Sequence, residues 1–241
     1  MVHVELLDKK YSWKDMSLLQ FLQEGNIPKK WEKFFEREDI QKIIYTISQE
    51  LDKVRKTKII YPSIQQVFRA LYLLPIDKIK AVIVGQDCYH NGSTEYDGSA
   101  VGLCFSVKPG NKINPSLRSI YTELKQEGFT PKEDGILLPW TESGILLLNM
   151  ALTVEKGSPG SHSCLWYNFS KLLIQYISHE RGDSIHWLLF GKDAHEVSKI
   201  AENGKFHCVS HPSPLSAYRS CGKFPAFIGS GVFSNVKSIK W

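Results

Sequence analysis

The sequence predicts an α/β fold with a central four-stranded, mainly parallel sheet flanked by helices. Three observations predict it. Four short apolar runs, at residues 81–84, 145–149, 185–190 and 206–209, have the length and character of buried strands. The segments between them carry apolar residues at helical spacing, the alternation expected of a parallel sheet with crossover helices. Three of the runs then stop abruptly in polar residues: Gln86-Asp87 after the first, Asn149 at the second, Ser210-His211 after the fourth. In an open α/β sheet the carboxyl ends of the strands are where ligands bind, so three such endings point to one site.

Taken in order, residues 18–22 and 31–35 read as short amphipathic helices packed on the domain. Ile40, Ile43, Ile44, Ile47, Leu51 and Val54 recur at helical spacing and mark a longer helix. Tyr61-Pro62-Ser63 breaks that pattern and opens a second helix with Ile64, Val67, Phe68 and Leu71 on one face. Strand 81–84 follows, then a polar loop over 91–99 and an extended segment over 102–107. Pro115-Ser116 opens a helix with Leu117, Ile120, Tyr121 and Leu124 inward, ended by Gly128. After strand 145–149, a Gly/Ser/Pro-rich loop at 157–163 leads into a helix with Leu165, Trp166, Phe169, Leu172, Leu173 and Tyr176 on its apolar side. Strand 185–190 ends at Gly191, a short helix spans 193–201, and the last strand is 206–209. No repeat, low-complexity tract or linker divides the chain, so residues 1–241 are expected to form one domain, with 1–30 as an N-terminal extension.

Composition excludes several classes. At 42% hydrophobic and 23% charged residues the chain is ordinary globular material rather than a disordered one. Five cysteines, at 88, 104, 164, 208 and 221, are odd in number and lack a C-x-x-C pair. That spacing fits neither a disulfide framework nor a zinc or iron–sulfur site, and suits a reducing compartment. The N-terminal residues have no signal-peptide core and no run reaches membrane-spanning length, so a soluble intracellular protein of nucleus or cytoplasm is expected, without a membrane partner. A net charge of +5 is compatible with a polyanionic partner without requiring one.

The polar endings bring together Gln86, Asp87, Tyr89, His90, Phe105, Asn149 and His211. No phosphate-cradling glycine loop is present, which disfavours a nucleotide cofactor, and no nucleophile elbow surrounds Ser210 or Ser213. Asp87 and His211 can form an acid/base pair. Asn149 offers a donor and an acceptor in one plane, which suits reading the edge of a base, and Phe105 can stack on that base.

These motifs resemble those of the family-one uracil-DNA glycosylases, from about residue 31 to residue 235. Gly85-Gln86-Asp87-Cys88-Tyr89-His90 is similar to the family's water-activating loop, with Cys88 where proline is usual. Gly102-Leu-Cys-Phe-Ser-Val107 is similar to its base-stacking segment. Leu146-Leu-Leu-Asn149 and Leu152-Thr-Val154 resemble its uracil-reading strand, and His211-Pro-Ser-Pro-Leu-Ser216 is identical to its minor-groove intercalation loop. The resemblance implies a monofunctional hydrolase of base excision repair that flips uracil out of DNA and cleaves its N-glycosidic bond, with no metal or cofactor. By the same resemblance Asp87 and His211 are catalytic. Gln86, Tyr89, Phe105 and Asn149 bind the base, with Tyr89 excluding thymine's methyl. His90 supports Asp87, and Ser116, Ser213 and Leu215 engage DNA, the last as a wedge. His162 matches a family Ser-His pair that supports the loop after Asn149. The implied partners are uracil-containing DNA, single- or double-stranded, and a DNA-mimicking protein inhibitor, the chain itself being a monomer.

The resemblance also marks departures. Residues 91–100 form a longer segment than is usual, the proline-rich phosphate loop survives only as Pro115-Ser116, and the chain after Asn235 is expected to be shortened. The family's Gly-Ser phosphate contact has Asn203-Gly204 as its nearest candidate. Two other classes remain open from the residues: a DNA-binding subunit that keeps the fold as a scaffold, and a generic nucleotide-binding α/β protein.

Overall fold

The computed structural model describes residues 11–241; residues 1–10, the start of the expected N-terminal extension, lie outside it. The chain enters through α1 (Leu18–Gln23), closed by a capping box. Ser17 Oγ accepts from Gln20 N at 3.1 Å and Gln20 Oε1 accepts from Ser17 N at 2.8 Å. After α2 (Glu32–Phe35), the apolar stripe of α3 (Glu38–Val54) buries Ile40, Ile44, Ile47 and Leu51. Then come β1 (Ile60–Tyr61), α4 (Arg69–Leu73), β2 (Ala81–Gly85), α5 (Pro115–Gln126), α6 (Leu138–Glu142), β3 (Ile145–Asn149) and β4 (Val154–Glu155). The chain ends with α7 (Ser163–Arg181), β5 (His186–Phe190), α8 (Lys192–His195), α9 (Val197–Ile200), β6 (Lys205–Val209) and an irregular C-terminal segment.

Four strands form one all-parallel sheet in the order β3-β2-β5-β6. β2 and β3 are buried along their whole length, because helices and loops cover both faces; that is why they read as unbroken apolar runs. The chain leaves β2 toward β3, then crosses back past β2 to β5. The reversal places a topological switch point at the carboxyl end of β2. Trp13, Leu18, Phe21 and Leu22 belong to the same core cluster as the strands, so the described part of the N-terminal segment is built into the core.

Three expectations change in detail. Residues 102–107 are turns rather than an extended segment, because Gly102 and Phe105 take φ of 72° and 61°, which no strand admits. The helix expected over 193–201 is split into α8 and α9, where Ser198 Oγ donates to the His195 carbonyl at 2.7 Å and competes for a helical acceptor. The helix expected after Ser63 begins as a 3-10 turn at Ile64–Gln66 and becomes α-helical only at Arg69. The sheet reading also missed the small antiparallel pair β1–β4, which joins Tyr61 to Val154. Below the first strand's loop this pair carries a second core of Tyr61, Cys88, Ala100 and Val154.

Candidate active site

Register brings the polar strand ends together. Gly85 pairs with Asn149, and Phe190 with Val209, so the chain emerges from all four strands along one edge. Pairing continues past β2 and β3: Met150 N donates to Gly85 O at 2.8 Å and Ala151 N to Gln86 O at 3.0 Å. Gly85 must be glycine here. A Cβ would stand 2.4 Å from Asn149 Oδ1 and 2.8 Å from the Cβ of Cys104.

Asp87 is half-buried at the start of the loop. Its Oδ1 accepts from Cys88 N at 2.9 Å and its Oδ2 accepts from Gly160 N at 2.5 Å. Burial raises its pKa above the usual carboxylate value, against the opposing pull of the two N–H groups and of His90. Gly157 N donates to the His90 carbonyl at 2.9 Å, so the 157–163 loop is latched to the loop after β2 at two points. Behind that latch, buried His162 Nδ1 is 2.9 Å from Thr153 Oγ1, which also accepts from Trp166 Nε1 at 2.6 Å. His162 thus props the loop after Asn149, as expected.

Opposite Asp87, Asn149 is buried at the end of β3, and its Nδ2 donates to Cys88 Sγ at 3.4 Å. Tyr89 closes one side of the recess, its hydroxyl donating to the Phe105 carbonyl at 3.1 Å. Phe105 is the one non-glycine with positive φ among the described residues. Strain of this kind persists where surroundings enforce it and gathers at functional sites. It turns the ring toward the strand edge, 6.3 Å from the His211 ring and 6.2 Å from Phe190, centroid to centroid.

His211 leaves β6 at the same edge, and Gly191 makes room for it: a Cβ there would meet His211 Cβ at 2.8 Å. His211 Nδ1 accepts from Ser213 N at 3.1 Å. An accepting Nδ1 leaves the proton on Nε2, and burial pushes the imidazole's pKa down although Asp193 pulls it up. The result is a neutral ring with an Nε2–H donor. Beyond it the loop is tied to itself: Ser213 Oγ lies 2.8 Å from Ser216 Oγ, which donates to His211 O at 3.0 Å, and Ser210 Oγ donates to Ser216 O at 2.9 Å. At its apex Leu215 is 85% exposed, so it is not packed into the core. A cleft of about 270 Å³ runs past these groups, lined by Gly85, Gln86, Lys192, Asp193, His211 and Ser213 among others.

Seven of the expected residues, Gln86, Asp87, Tyr89, His90, Phe105, Asn149 and His211, therefore sit at one sheet edge, with Ser213 and Leu215 on the loop above. Ser116 lies one residue into α5, whose N-cap is Asn114. Asn203-Gly204 does not join them. It precedes β6, at the opposite end of the sheet, where Asn203 O accepts from Trp187 Nε1 at 3.0 Å. Gly191-Lys192 is the pair that faces the cleft. Sequence reasoning also missed Gly160 as an anchor for Asp87, for a physical reason: a backbone N–H 73 residues away has no side-chain signature. The 91–100 segment reaches the recess at Ala100, while Glu95 ties it to the N-terminal segment by accepting from Ser12 Oγ and Trp13 N at 2.8 and 2.6 Å.

Comparison with known proteins decides the family. The model of the Uracil DNA glycosylase superfamily matches residues 72–229. The chain belongs to that superfamily. It is 40% identical over 202 residues to the uracil-DNA glycosylase of Alkaliphilus metalliredigens, covering 82% of this chain and 84% of that one. To the uracil-DNA glycosylase of Psychromonas ingrahamii it is 42% identical over 217 residues, 87% of this chain and 94% of the other. Among solved structures, mimivirus uracil-DNA glycosylase superposes with a TM-score of 0.80 at 26% identity, covering 87% of this chain and 82% of that one. A mimivirus variant solved in complex with UGI superposes equally well, with a TM-score of 0.80. Membership in the glycosylase superfamily makes this chain a hydrolase of base excision repair.

Proposed function

We propose that this glycosylase excises uracil from DNA through the groups at the strand edge, acting as one domain over the described residues. The observation that carries the reading is a narrow recess lined by Asp87, Cys88, Tyr89, Phe105 and Asn149 together with residues 100–103. A base inside a duplex is out of reach, so the nucleotide is flipped out, costing about a few kcal/mol. Exposed Leu215, on a loop stiffened by Pro212 and Pro214, fills the vacated stack, and Ser116 and Ser213 hold phosphates on either side.

Within the recess Phe105 stacks on the base and Asn149 meets N3–H and O4, the edge pattern that cytosine inverts. Tyr89 stands beside C5 and leaves no space for thymine's methyl. Cleavage passes through an oxocarbenium-like sugar. Asp87, ionised, stabilises that cation and orients water, helped by His90. His211 donates Nε2–H to the uracil O2 as charge develops there, together with the backbone N–H of Gln86. A neutral donor suits this step, since its N–H is too weak an acid to be given up outright and can stay on the ring as it stabilises the departing anion.

Among the described residues no group of three or more His, Cys, Asp or Glu is placed to hold a metal ion, and no helix is long and apolar enough to cross a membrane. The test is uracil release from single- and double-stranded oligonucleotides in the presence of EDTA. Release at a rate unchanged by the chelator is expected on both. Loss of release restored by a divalent cation would overturn the metal-free mechanism. Tight DNA binding with no release would return the scaffold reading. By analogy with the UGI complex, the protein inhibitor should block both substrates.

A further inference from the structure

The thiol of Cys88 stands where a uracil-reading amide needs a fixed polarity. Cys88 is buried, its Sγ lying 3.4 Å from the Ala151 carbonyl oxygen and 3.4 Å from Asn149 Nδ2. A carbonyl oxygen can only accept, so the thiol proton is directed to Ala151. The sulfur lone pairs then face Asn149, and an acceptor there requires the amide nitrogen rather than its oxygen. Asn149 Oδ1 is turned the other way, into the space left free because residue 85 is glycine. One Nδ2 proton is thereby occupied, and the second Nδ2 proton and Oδ1 remain to meet a base edge.

We propose that Cys88 is a positioning residue that fixes the donor/acceptor polarity of Asn149 and so sets discrimination between uracil and cytosine. The inference rests on the reading that this recess binds uracil. Donor and acceptor in the observed order match O4 and N3–H of uracil. Rotated by half a turn about its Cβ–Cγ bond, the same amide would present its oxygen to the amino group and its nitrogen to N3 of cytosine. Sequence position alone makes Asn149 ambiguous between the two; the neighbouring sulfur removes the ambiguity. Burial pushes the thiol pKa up to about 12, so the sulfur keeps its proton, and with it the polarity, at any working pH. A proline at position 88, usual in related loops, carries no side-chain acceptor, so this device belongs to chains with cysteine there.

The test compares wild type with Cys88→Ala and Cys88→Ser. Cys88→Ala should lower kcat/KM for uracil by about 3–10-fold, because only part of the population then holds Asn149 in the competent orientation. The ratio of uracil to cytosine release should fall by at least as much. Cys88→Ser keeps a donor and an acceptor at the same place and should restore most of both. The independent measurement is side-chain amide NMR of Asn149: in wild type one Nδ2 proton is protected from exchange, and in Cys88→Ala it is not. A lower melting temperature for Cys88→Ala with unchanged discrimination and unchanged exchange would assign Cys88 to packing alone and overturn the proposal. An unprotected Asn149 amide in wild type would overturn it too, without need of any variant. Absence of uracil release from wild type would instead defeat the functional reading, and the amide exchange would still report the contact.

Discussion

At the residue scale the site sets ionisation against burial. Asp87 must be charged to oppose an oxocarbenium ion, yet its surroundings raise its pKa, chiefly by desolvation, with Gly160 N–H and Cys88 N–H offsetting only part. A carboxylate whose folded pKa lies above its unfolded value adds stability below the unfolded pKa and loses that contribution as pH rises through the folded one. The stability of wild type relative to Asp87→Asn should therefore decline as pH rises above the ordinary carboxylate pKa of about 4. Melting temperatures of both proteins over that rise check the sign; a wild-type advantage that grew with pH would contradict it. Activity of Asp87→Asn should fall by about 100-fold or more, since a preorganised charge is removed from the reacting centre. In the proposed mechanism specificity rests on Asn149. Asn149→Asp, able in its protonated form to match the cytosine edge, should lose about 100-fold or more on uracil and gain weak cytosine release. Unchanged uracil turnover without any cytosine release would move base reading elsewhere.

At the scale of elements, Asp87 and Asn149 were legible in the sequence because each stands at the end of a buried strand, where an apolar run changes to polar residues. Gly85-Gln86-Asp87 and Leu148-Asn149 are of that kind, and parallel pairing turns these endings into neighbours. What holds the loops in place was not legible, because backbone N–H groups do the holding. Buried Glu123, on α5, accepts from Gly229 N at 2.6 Å, Gly231 N at 2.8 Å and Ser230 Oγ at 3.2 Å. One turn on, Glu127 accepts from Phe233 N at 3.1 Å and from Ser234 N. The only sequence signal was position: Glu123 lies three residues after Ile120, on the inward face. The anchored segment follows the His211–Ser216 loop, joined to it where Ile228 N donates to Ala217 O at 2.9 Å. Glu123→Ala strands three donors and should cost roughly 2–4 kcal/mol of stability. Urea unfolding measures it, and a loss below about 0.5 kcal/mol would show that water replaces the carboxylate at little cost.

At the scale of the whole molecule, the sheet edge and the Leu215 loop divide the reaction between them. Asp87, Asn149, Phe105 and His211 sit at the edge, where the proposed mechanism has them act on a base already extrahelical, whereas Leu215 is exposed on the loop above. With 85% of its surface in water, Leu215 adds little to the stability of the free protein, and the role proposed for it is against DNA. Truncating it should leave the chemistry intact and remove only the plug that holds a vacated stack open. The two strandedness states of DNA separate these steps, because a single strand requires little unstacking. Leu215→Ala should therefore keep its rate on single-stranded uracil substrate within about 2-fold of wild type and lose roughly 10-fold or more on duplex. Its melting temperature should stay within about 1 °C, as expected for an exposed position away from any packed contact. The deciding quantity is the ratio of duplex to single-strand rates. A ratio unchanged from wild type, with both rates reduced together, would tie Leu215 to the catalytic edge and dissolve the division of labour.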